Sequence, residues 1–195
     1  MNVISTNIHG GLGNTMFQIA TGYSTSIDEN SDFIVDETKH YNGHHPLNTY
    51  KNTIFQKVKF SNTEVPYEVY NVGSFHYCEI PKFDRSIKLS GFFQSDKYFK
   101  KNREGILSLF EPNDEIKNKL EQYKSEGKKV FTTSSFQSHS LVLLQILSKI
   151  DSTIPVYFIN TGYHFPETVA FKDQIAQEFG LNIKEVTSFV PRYMQ

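Results

Sequence analysis

Strand-like and helix-like hydrophobic patterns alternate near the N-terminus. "NVISTNI" alternates apolar and polar positions and is rich in β-branched residues, which predicts a strand, and the glycine-containing "HGGLG" follows it. "NTMFQIATGYS" then places Met16, Phe17, Ile19 and Ala20 along one side of a helix. "DFIVDE" predicts a second strand. A strand, glycine turn, helix and strand in this order indicate a βαβ unit.

The middle of the chain is more polar. "YNGHHPLNTY" predicts a loop, and "IKLSGFF" predicts a strand. Ser95 is placed to cap a helix that follows this strand. "EPNDEIKNKLEQYKSEGKK" predicts a solvent-exposed helix with Ile116 and Leu120 on one face and Gly127 just past its end.

From Lys128 onwards strands and helices alternate regularly. "KKVFTTSS" predicts a strand, and "SLVLLQILSKI" predicts a helix that is apolar around most of its circumference. "IPVYFIN" is typical of a buried parallel strand, and "FPETVAFKDQIAQEFG" predicts a helix from Pro166 to the stop signal Gly180. "LNIKEVT" completes a βαβαβ order, in which right-handed crossovers place the strand-to-helix loops along one edge.

Composition and charge narrow the class of protein. With 38% apolar and 21% charged residues, the 195-residue chain has the composition of a folded protein with one full core or two small ones. A net charge of −1 provides no basic field for polymeric DNA or RNA. We expect a cytoplasmic protein without a transmembrane segment, because the N-terminus lacks signal-peptide features and no apolar stretch approaches ~20 residues. The single cysteine, Cys78, excludes an internal disulfide.

The glycine-rich turn can support two roles. Gly10, Gly11 and Gly13 allow backbone N–H groups to approach an anion at the start of a helix, and Asn14 adds an amide that can donate or accept. The structural alternative is a tight turn that only requires positive φ angles. A Walker loop is excluded, because no Lys-Ser or Lys-Thr follows the glycines.

The segment "GGLGNTMFQIATGYS" resembles the N-terminal signature of the family 11 glycosyltransferases, the α-1,2-fucosyltransferases. "LNTYKNTIFQKV", "FHYCEIP" and "LSGFFQSDKYF" are similar to later blocks of that family in the same order, over about residues 2–123. The resemblance implies a Rossmann-like half-domain in which the turn around Gly10 faces a cleft for GDP-fucose and a galactoside acceptor. That family continues with an H-x-R-R-G-D-like motif whose arginine neutralises the leaving diphosphate. Arg85, Arg103 and Arg192 do not occur in such a motif, so catalysis is predicted to be incomplete and no catalytic residue is assigned.

The segments "VFTTSSFQSHSLVLLQILSKID" and "IPVYFINTGYHFPET" resemble the phosphoadenylyl-sulfate (PAPS) and adenylyl-sulfate reductases, over about residues 129–190. The resemblance implies an adenine nucleotide α-hydrolase-like fold, related to the PP-loop ATPases. It further implies that Ser134, Ser135 and Ser138, with loop amides, contact a phosphosulfate or phosphate. Thr161 and Gly162 would lie against the nucleotide. The structural alternative is a capped helix without a ligand.

This part also departs from the reductases that it resembles. Asn160 stands where they often have aspartate, and Gln137 stands where many have glycine. Their nucleophilic cysteine lies in an E-C-G-x-H-like tail and is recycled by a thiol carrier, and no such tail occurs here. Cys78 is predicted to be a small buried residue instead.

Two smaller candidates involve histidine and aspartate. His40, His44 and His45 lie close together in sequence but lack the spacing and the acidic or thiolate partner of a metal site, so no metal is predicted. Asp36 follows a predicted strand, where it could bind a ribose or be a surface carboxylate.

These observations predict an α/β protein of two parts. Residues 1–123 would form the Rossmann-like half-domain, residues 124–128 a junction, and residues 129–195 a βαβαβ, PP-loop-related unit of parallel strands. The main predicted function is fucosyl transfer from GDP-fucose by a chain fused to a truncated sulfonucleotide-binding segment. The alternatives are a PAPS reductase-like protein of sulfate assimilation, with a thiol carrier as partner, and a non-catalytic fragment. No cofactor is predicted beyond the substrate nucleotides, GDP-fucose or PAPS.

Overall fold

The computed structural model describes residues 2–37, 47–63, 65–74, 76–136 and 140–187. The chain divides into two compact units, Met1–Asn113 and Asp114–Gln195. The described strands of both units form parallel sheets joined by helices, which confirms the predicted α/β class. The junction at residues 124–128 stays a prediction.

The first unit is built around a parallel sheet with the strand order β2-β1-β6-β5, and the short strands β3 and β4 pair separately. Its elements are, in chain order, β1 (Val3–Thr6), α1 (Leu12–Asp28), β2 (Asp32–Phe33), β3 (Val35–Asp36), α2 (Asn48–Lys51), β4 (Phe60–Ser61), β5 (Glu68–Asn71), β6 (Ile87–Ser90) and α3 (Arg103–Leu109). The helix α1 packs on β1, with Met16, Phe17, Ile19 and Ala20 buried as the hydrophobic pattern predicts. The predicted strand, turn and helix are confirmed.

Two predictions for this unit need correction. The segment "DFIVDE" is not one strand, because the Ile34 amide bonds to Ile4 in one sheet while the Val35 amide bonds to Lys59 in the other. Ser95 does cap a helical segment, but its hydroxyl accepts from the Lys97 amide (3.4 Å) at the start of a 3-10 turn. The α-helix itself begins only at Arg103.

The second unit has the predicted βαβαβ order, preceded by a helix. Its elements are α4 (Asp114–Ser125), β7 (Thr132–Thr133), α5 (Leu141–Asp151), β8 (Pro155–Asn160), α6 (Pro166–Phe179) and β9 (Asn182–Thr187). The parallel strands lie in the order β7-β8-β9, with Val156 between Thr132 and Ile183. Gly180 ends α6 with a left-handed φ of 64°, as its position in the pattern predicts.

The core of this unit lies on one face of the sheet. Val156 and Phe158 of β8 pack with Phe136, with Leu144 of α5 and with Ile175 of α6. Since residues 156 and 158 point to the same side of the strand, both helices cover the same face. Burial of each large apolar side chain contributes about 1.5–3 kcal/mol.

The opposite face of β8 is open, which corrects the prediction of a fully buried strand. Ile159 is 58% exposed and its neighbour Val186 on β9 is 44% exposed. Leu143 of α5 is also exposed, so this helix does not pack on all sides as its apolar circumference predicts. The reason is topological, because both crossovers return on one side of the sheet.

Candidate functional site

The carboxyl ends of β7 and β8 form the candidate site of the second unit. The two strands are adjacent and parallel, so the segments that follow them leave the sheet at the same edge. Each segment leads to the start of a helix, α5 or α6. Ligands of open parallel sheets bind at this edge, where free helix N–H groups add partial positive charge. The structure therefore brings the sequence-predicted residues Ser134, Ser135, Thr161 and Gly162 to one edge of one sheet.

The segment after β7 is a tight turn anchored by a buried aromatic ring. The Ser134 amide donates to the Tyr157 carbonyl (3.0 Å), and the Ser134 hydroxyl accepts from the Phe136 amide (3.0 Å). Phe136 adopts a left-handed φ of 55°, although it is not glycine, and is 1% exposed. Its ring lies edge-on to Phe158, with 5.8 Å between ring centroids. This packing stabilises an otherwise unfavourable backbone conformation.

The predicted serines differ in their surroundings. Ser135, at the tip of this turn, is exposed and can offer its hydroxyl to a ligand. Ser134 is partly buried, and its oxygen accepts from Phe136 while its hydroxyl hydrogen can still donate. Ser138 lies outside the described residues.

The segment after β8 is a second tight turn. The Asn160 Oδ1 atom accepts from the Gly162 amide (2.9 Å), and the Thr161 hydroxyl oxygen lies 3.4 Å from the Tyr163 amide that donates to it. Gly162 has a φ of 77°, a conformation that favours glycine. Thr161 and Gly162 are exposed.

Three polar side chains behind this turn are connected to one another. The Asn160 Nδ2 group donates to Glu185 Oε1 (2.7 Å), and Lys172 Nζ donates to Glu185 Oε2 (2.9 Å). Hydrogen bonds from Asn160 and then from Lys172 lower the pKa of the Glu185 carboxyl. Lys172 and Glu185 are not among the sequence-predicted site residues, because a charged residue on an amphipathic helix or an edge strand resembles an ordinary surface residue.

Aromatic residues lie next to the second turn. His164 Nε2 donates to the Ile159 carbonyl (3.0 Å), and its ring centroid lies 4.8 Å from that of Phe158. Tyr163 and Phe165 are 56% and 76% exposed. Exposed aromatic rings can stack on a planar base.

The glycine turn of the first unit is explained by contacts within the protein. Gly10 has a φ of 86°, and a methyl group there would lie too close to the Asn14 carboxamide. The buried Gln18 accepts from the His9 amide (3.1 Å) and donates to the carbonyls of His9 (3.2 Å) and Gly91 (3.3 Å). Gln18 therefore ties the turn to the sheet. The binding of an anion by Gly10, Gly11, Gly13 and Asn14 stays a prediction.

A cavity of about 260 Å³ lies at the carboxyl ends of β5 and β6. Its lining residues are His9, Asn71, Val72, Gly73, Ser74, Ser90, Gly91 and Phe92. The His9 ring contacts Phe92 edge-on at 4.5 Å, and burial lowers the pKa of His9. The imidazole is therefore neutral near pH 7 and brings no positive charge to this cavity.

The remaining candidates are placed differently from their predictions. Asp36 is neither a ribose ligand nor a surface carboxylate, because its buried side chain pairs with the buried Lys88. Cys78 is exposed rather than buried, in a segment whose backbone is bonded to the Tyr98 hydroxyl (3.0 Å). The residues His40, His44, His45, Gln137 and Arg192 lie outside the described part of the chain. Among the described residues, no helix is both long and apolar enough to span a bilayer, and no three His, Cys, Asp or Glu residues are grouped as metal ligands.

The second unit is thus a parallel α/β unit with two turns at one edge of its sheet. The sequence model of the phosphoadenosine phosphosulfate reductase domain matches residues 129–189. An adenosine 5'-phosphosulfate reductase of Chelativorans sp. (strain BNC1) is 40% identical over 63 residues, or 32% of this chain. A phosphoadenosine 5'-phosphosulfate reductase of Aliivibrio salmonicida (strain LFI1238) is 35% identical over 92 residues, or 44% of this chain.

The chain spans only part of these relatives. The aligned residues cover 25% of the Chelativorans protein and 36% of the Aliivibrio protein. No solved structure matches the chain significantly.

These comparisons confirm the resemblance of the second part and overturn the main predicted function. The family match and the relatives are sulfonucleotide reductases, and no comparison supports a glycosyltransferase, so the prediction of fucosyl transfer is wrong. Of the glycines on which that prediction depended, Gly10 is explained by the turn itself, because the backbone has a positive φ there, and Gln18 bonds to the residues on both sides of the turn.

Proposed function

We propose that the second unit is the nucleotide-binding segment of a sulfonucleotide reductase-like protein that acts in sulfate assimilation. Its substrate class would be adenylyl sulfates with or without a 3'-phosphate. In this proposal the unit is adenine nucleotide α-hydrolase-like and the first unit is a Rossmann-like half-domain. The observation that carries the proposal is the position of two tight turns, around Ser135 and Gly162, at the same edge of the sheet in a segment similar to the reductases.

Each of the two turns would bind a different part of the ligand. Ser134, Ser135 and Ser138, together with amides at the start of α5, would bind the phosphosulfate group, because hydroxyl and helix N-terminal N–H groups suit an anion. Thr161 and Gly162 would lie against the nucleoside. The absence of a side chain at Gly162 lets a ligand approach the backbone closely.

Reduction of a sulfonucleotide requires a thiol. A thiolate attacks the sulfur, the nucleotide leaves, and a second thiol releases sulfite with formation of a disulfide. The matched segment, residues 129–189, contains no cysteine. We therefore assign nucleotide binding to this segment and place the reducing thiols outside it, with a thiol carrier as the partner that is oxidised.

Calorimetric titration of the full chain tests the proposal. We expect heat and saturation with PAPS and with adenosine 3',5'-bisphosphate, and neither with GDP-fucose. Adenosine 3',5'-bisphosphate is the main probe because it retains the phosphates and cannot be reduced. If neither adenine nucleotide binds at millimolar concentration, the proposed function is wrong.

A further inference from the structure

The turn at Gly162 depends on the orientation of the Asn160 carboxamide. Its Oδ1 atom accepts from the Gly162 amide (2.9 Å), and its Nδ2 group donates to Glu185 (2.7 Å). A carboxamide has one accepting end and one donating end. Both contacts therefore exist in one orientation only, and a rotation by half a turn would break both.

The carboxylate that selects this orientation is itself anchored. Lys172 is 5% exposed, and its Nζ atom lies 2.9 Å from Glu185, 3.1 Å from Asp173 and 5.1 Å from the centroid of the Phe158 ring. Burial by itself lowers the pKa of Lys172, but the hydrogen bonds to Glu185 and Asp173 outweigh it, so the pKa is raised. A charged, buried ammonium on α6 thus holds one oxygen of Glu185, and the other oxygen faces Asn160.

We propose that Glu185, anchored by Lys172, is a positioning residue that orients the Asn160 carboxamide and thereby sets the turn at Gly162 for ligand binding. The inference rests on the proposed function for its ligand. A carboxylate at position 160 would face Glu185 at hydrogen-bond distance, and like charges repel.

The proposal predicts that residues 160 and 185 depend on each other. In Asn160→Asp two carboxylates meet, and in Glu185→Gln the donating end of the new carboxamide competes with Lys172, so each change disturbs the bond to Gly162. In the double variant Asn160→Asp/Glu185→Gln, the introduced carboxylate accepts from both the Gly162 amide and the introduced carboxamide. The double variant should therefore recover what each single variant loses.

Two measurements report the coupling between residues 160 and 185. The first is the amide resonance of Gly162 in the ligand-free chain, with its hydrogen-exchange rate. The second is the Kd for adenosine 3',5'-bisphosphate by calorimetry. We expect Asn160→Asp to weaken binding about tenfold near pH 8, Glu185→Gln about threefold, and the double variant to bind within about twofold of the unchanged chain.

The pH dependence separates positioning from a general loss of structure. When two carboxylates adjoin, the pKa of one rises, and the shared proton then donates from one to the other. The defect of Asn160→Asp should therefore shrink from about pH 8 to about pH 5, relative to the unchanged chain at the same pH. His164 and Lys172 also interact electrostatically with Glu185, and because both are present in the variant and in the unchanged chain, the comparison is made at each pH between these two chains. A defect that is constant with pH, or a double variant as weak as Asn160→Asp, would overturn the proposal.

The anchor is tested with a matched pair of lysine variants. Lys172→Met keeps an unbranched side chain in the buried position but removes the charge, whereas Lys184→Met makes the same change at an exposed neighbour of Glu185. Only Lys172→Met should shift the Gly162 resonance and weaken binding. If the unchanged chain binds no adenine nucleotide, the proposed function fails, while the Gly162 resonance still decides whether Glu185 orients Asn160.

Discussion

Replacing Phe136 by alanine and by glycine separates the contribution of its ring from the cost of its backbone conformation. The ring is buried, and Phe→Ala changes at such sites destabilise by about 3–5 kcal/mol. The φ of 55° costs a residue with a Cβ atom about 1–2 kcal/mol, which glycine avoids. Glycine also lowers the free energy of unfolding by about 0.5–1 kcal/mol relative to alanine, because the unfolded chain is more flexible at a glycine. We therefore expect Phe136→Gly to be more stable than Phe136→Ala by about 0.5–1 kcal/mol.

Hydrogen exchange of the β8 amides measures this difference within the second unit. Phe158 provides the matched control, because it is equally buried but lies in an extended strand. There Phe158→Gly should be less stable than Phe158→Ala. The sign of the glycine–alanine difference should thus be opposite at the two positions. The same sign at both would refute the inference that the ring of Phe136 stabilises a left-handed turn.

Two further predictions concern the exposed serine and a helix end. Ser135→Ala should weaken adenosine 3',5'-bisphosphate binding about fivefold or more, measured by calorimetry, because a charge-assisted hydrogen bond is lost. Ser152→Ala, at the other end of α5, is the control and should leave the affinity unchanged. Equal affinities of the two variants would remove Ser135 from the site. Hydrogen bonds from Lys124 and then Thr153 lower the pKa of Asp151 to about 2, so its stabilisation of about 1–2 kcal/mol is complete above about pH 4 and is lost as the pH falls towards 2. Urea titrations of Asp151→Asn should show this deficit at neutral pH and not near pH 2, and a deficit independent of pH would contradict the assignment.

Local sequence signals predict most of the helices and strands. Pro166 and Gly180 bound α6 because the first fits a helix start without its N–H and the second adopts a left-handed φ at the end. The β-branched run before Gly10 predicts β1 for a similarly local reason. These signals depend on a few neighbouring residues, so a single sequence contains them.

These local signals do not predict whether each face of a strand or helix is buried. A run such as "IPVYFIN" shows that a strand is apolar on both sides, but not whether each side is covered. In the second unit α5 and α6 return over the face of Phe158, so Ile159 stays exposed. Asp36 shows the converse, since its burial depends on Lys88, a residue distant in sequence. Coverage is decided by contacts between distant segments, which a local pattern does not contain.

The same distinction applies to the site. The resemblance to the reductases predicts Ser135 and Gly162 as ligand-binding residues, and sequence order places both directly after strands at one sheet edge. Their binding of a ligand stays a prediction. Glu185 could not be predicted, because its role depends on the parallel register that brings the end of β9 beside Asn160 and on a lysine two turns into α6. Glu185 acts only together with Asn160, so neither residue by itself indicates the interaction. An alignment column that shows asparagine or aspartate at position 160 is therefore interpretable only together with the charge at position 185.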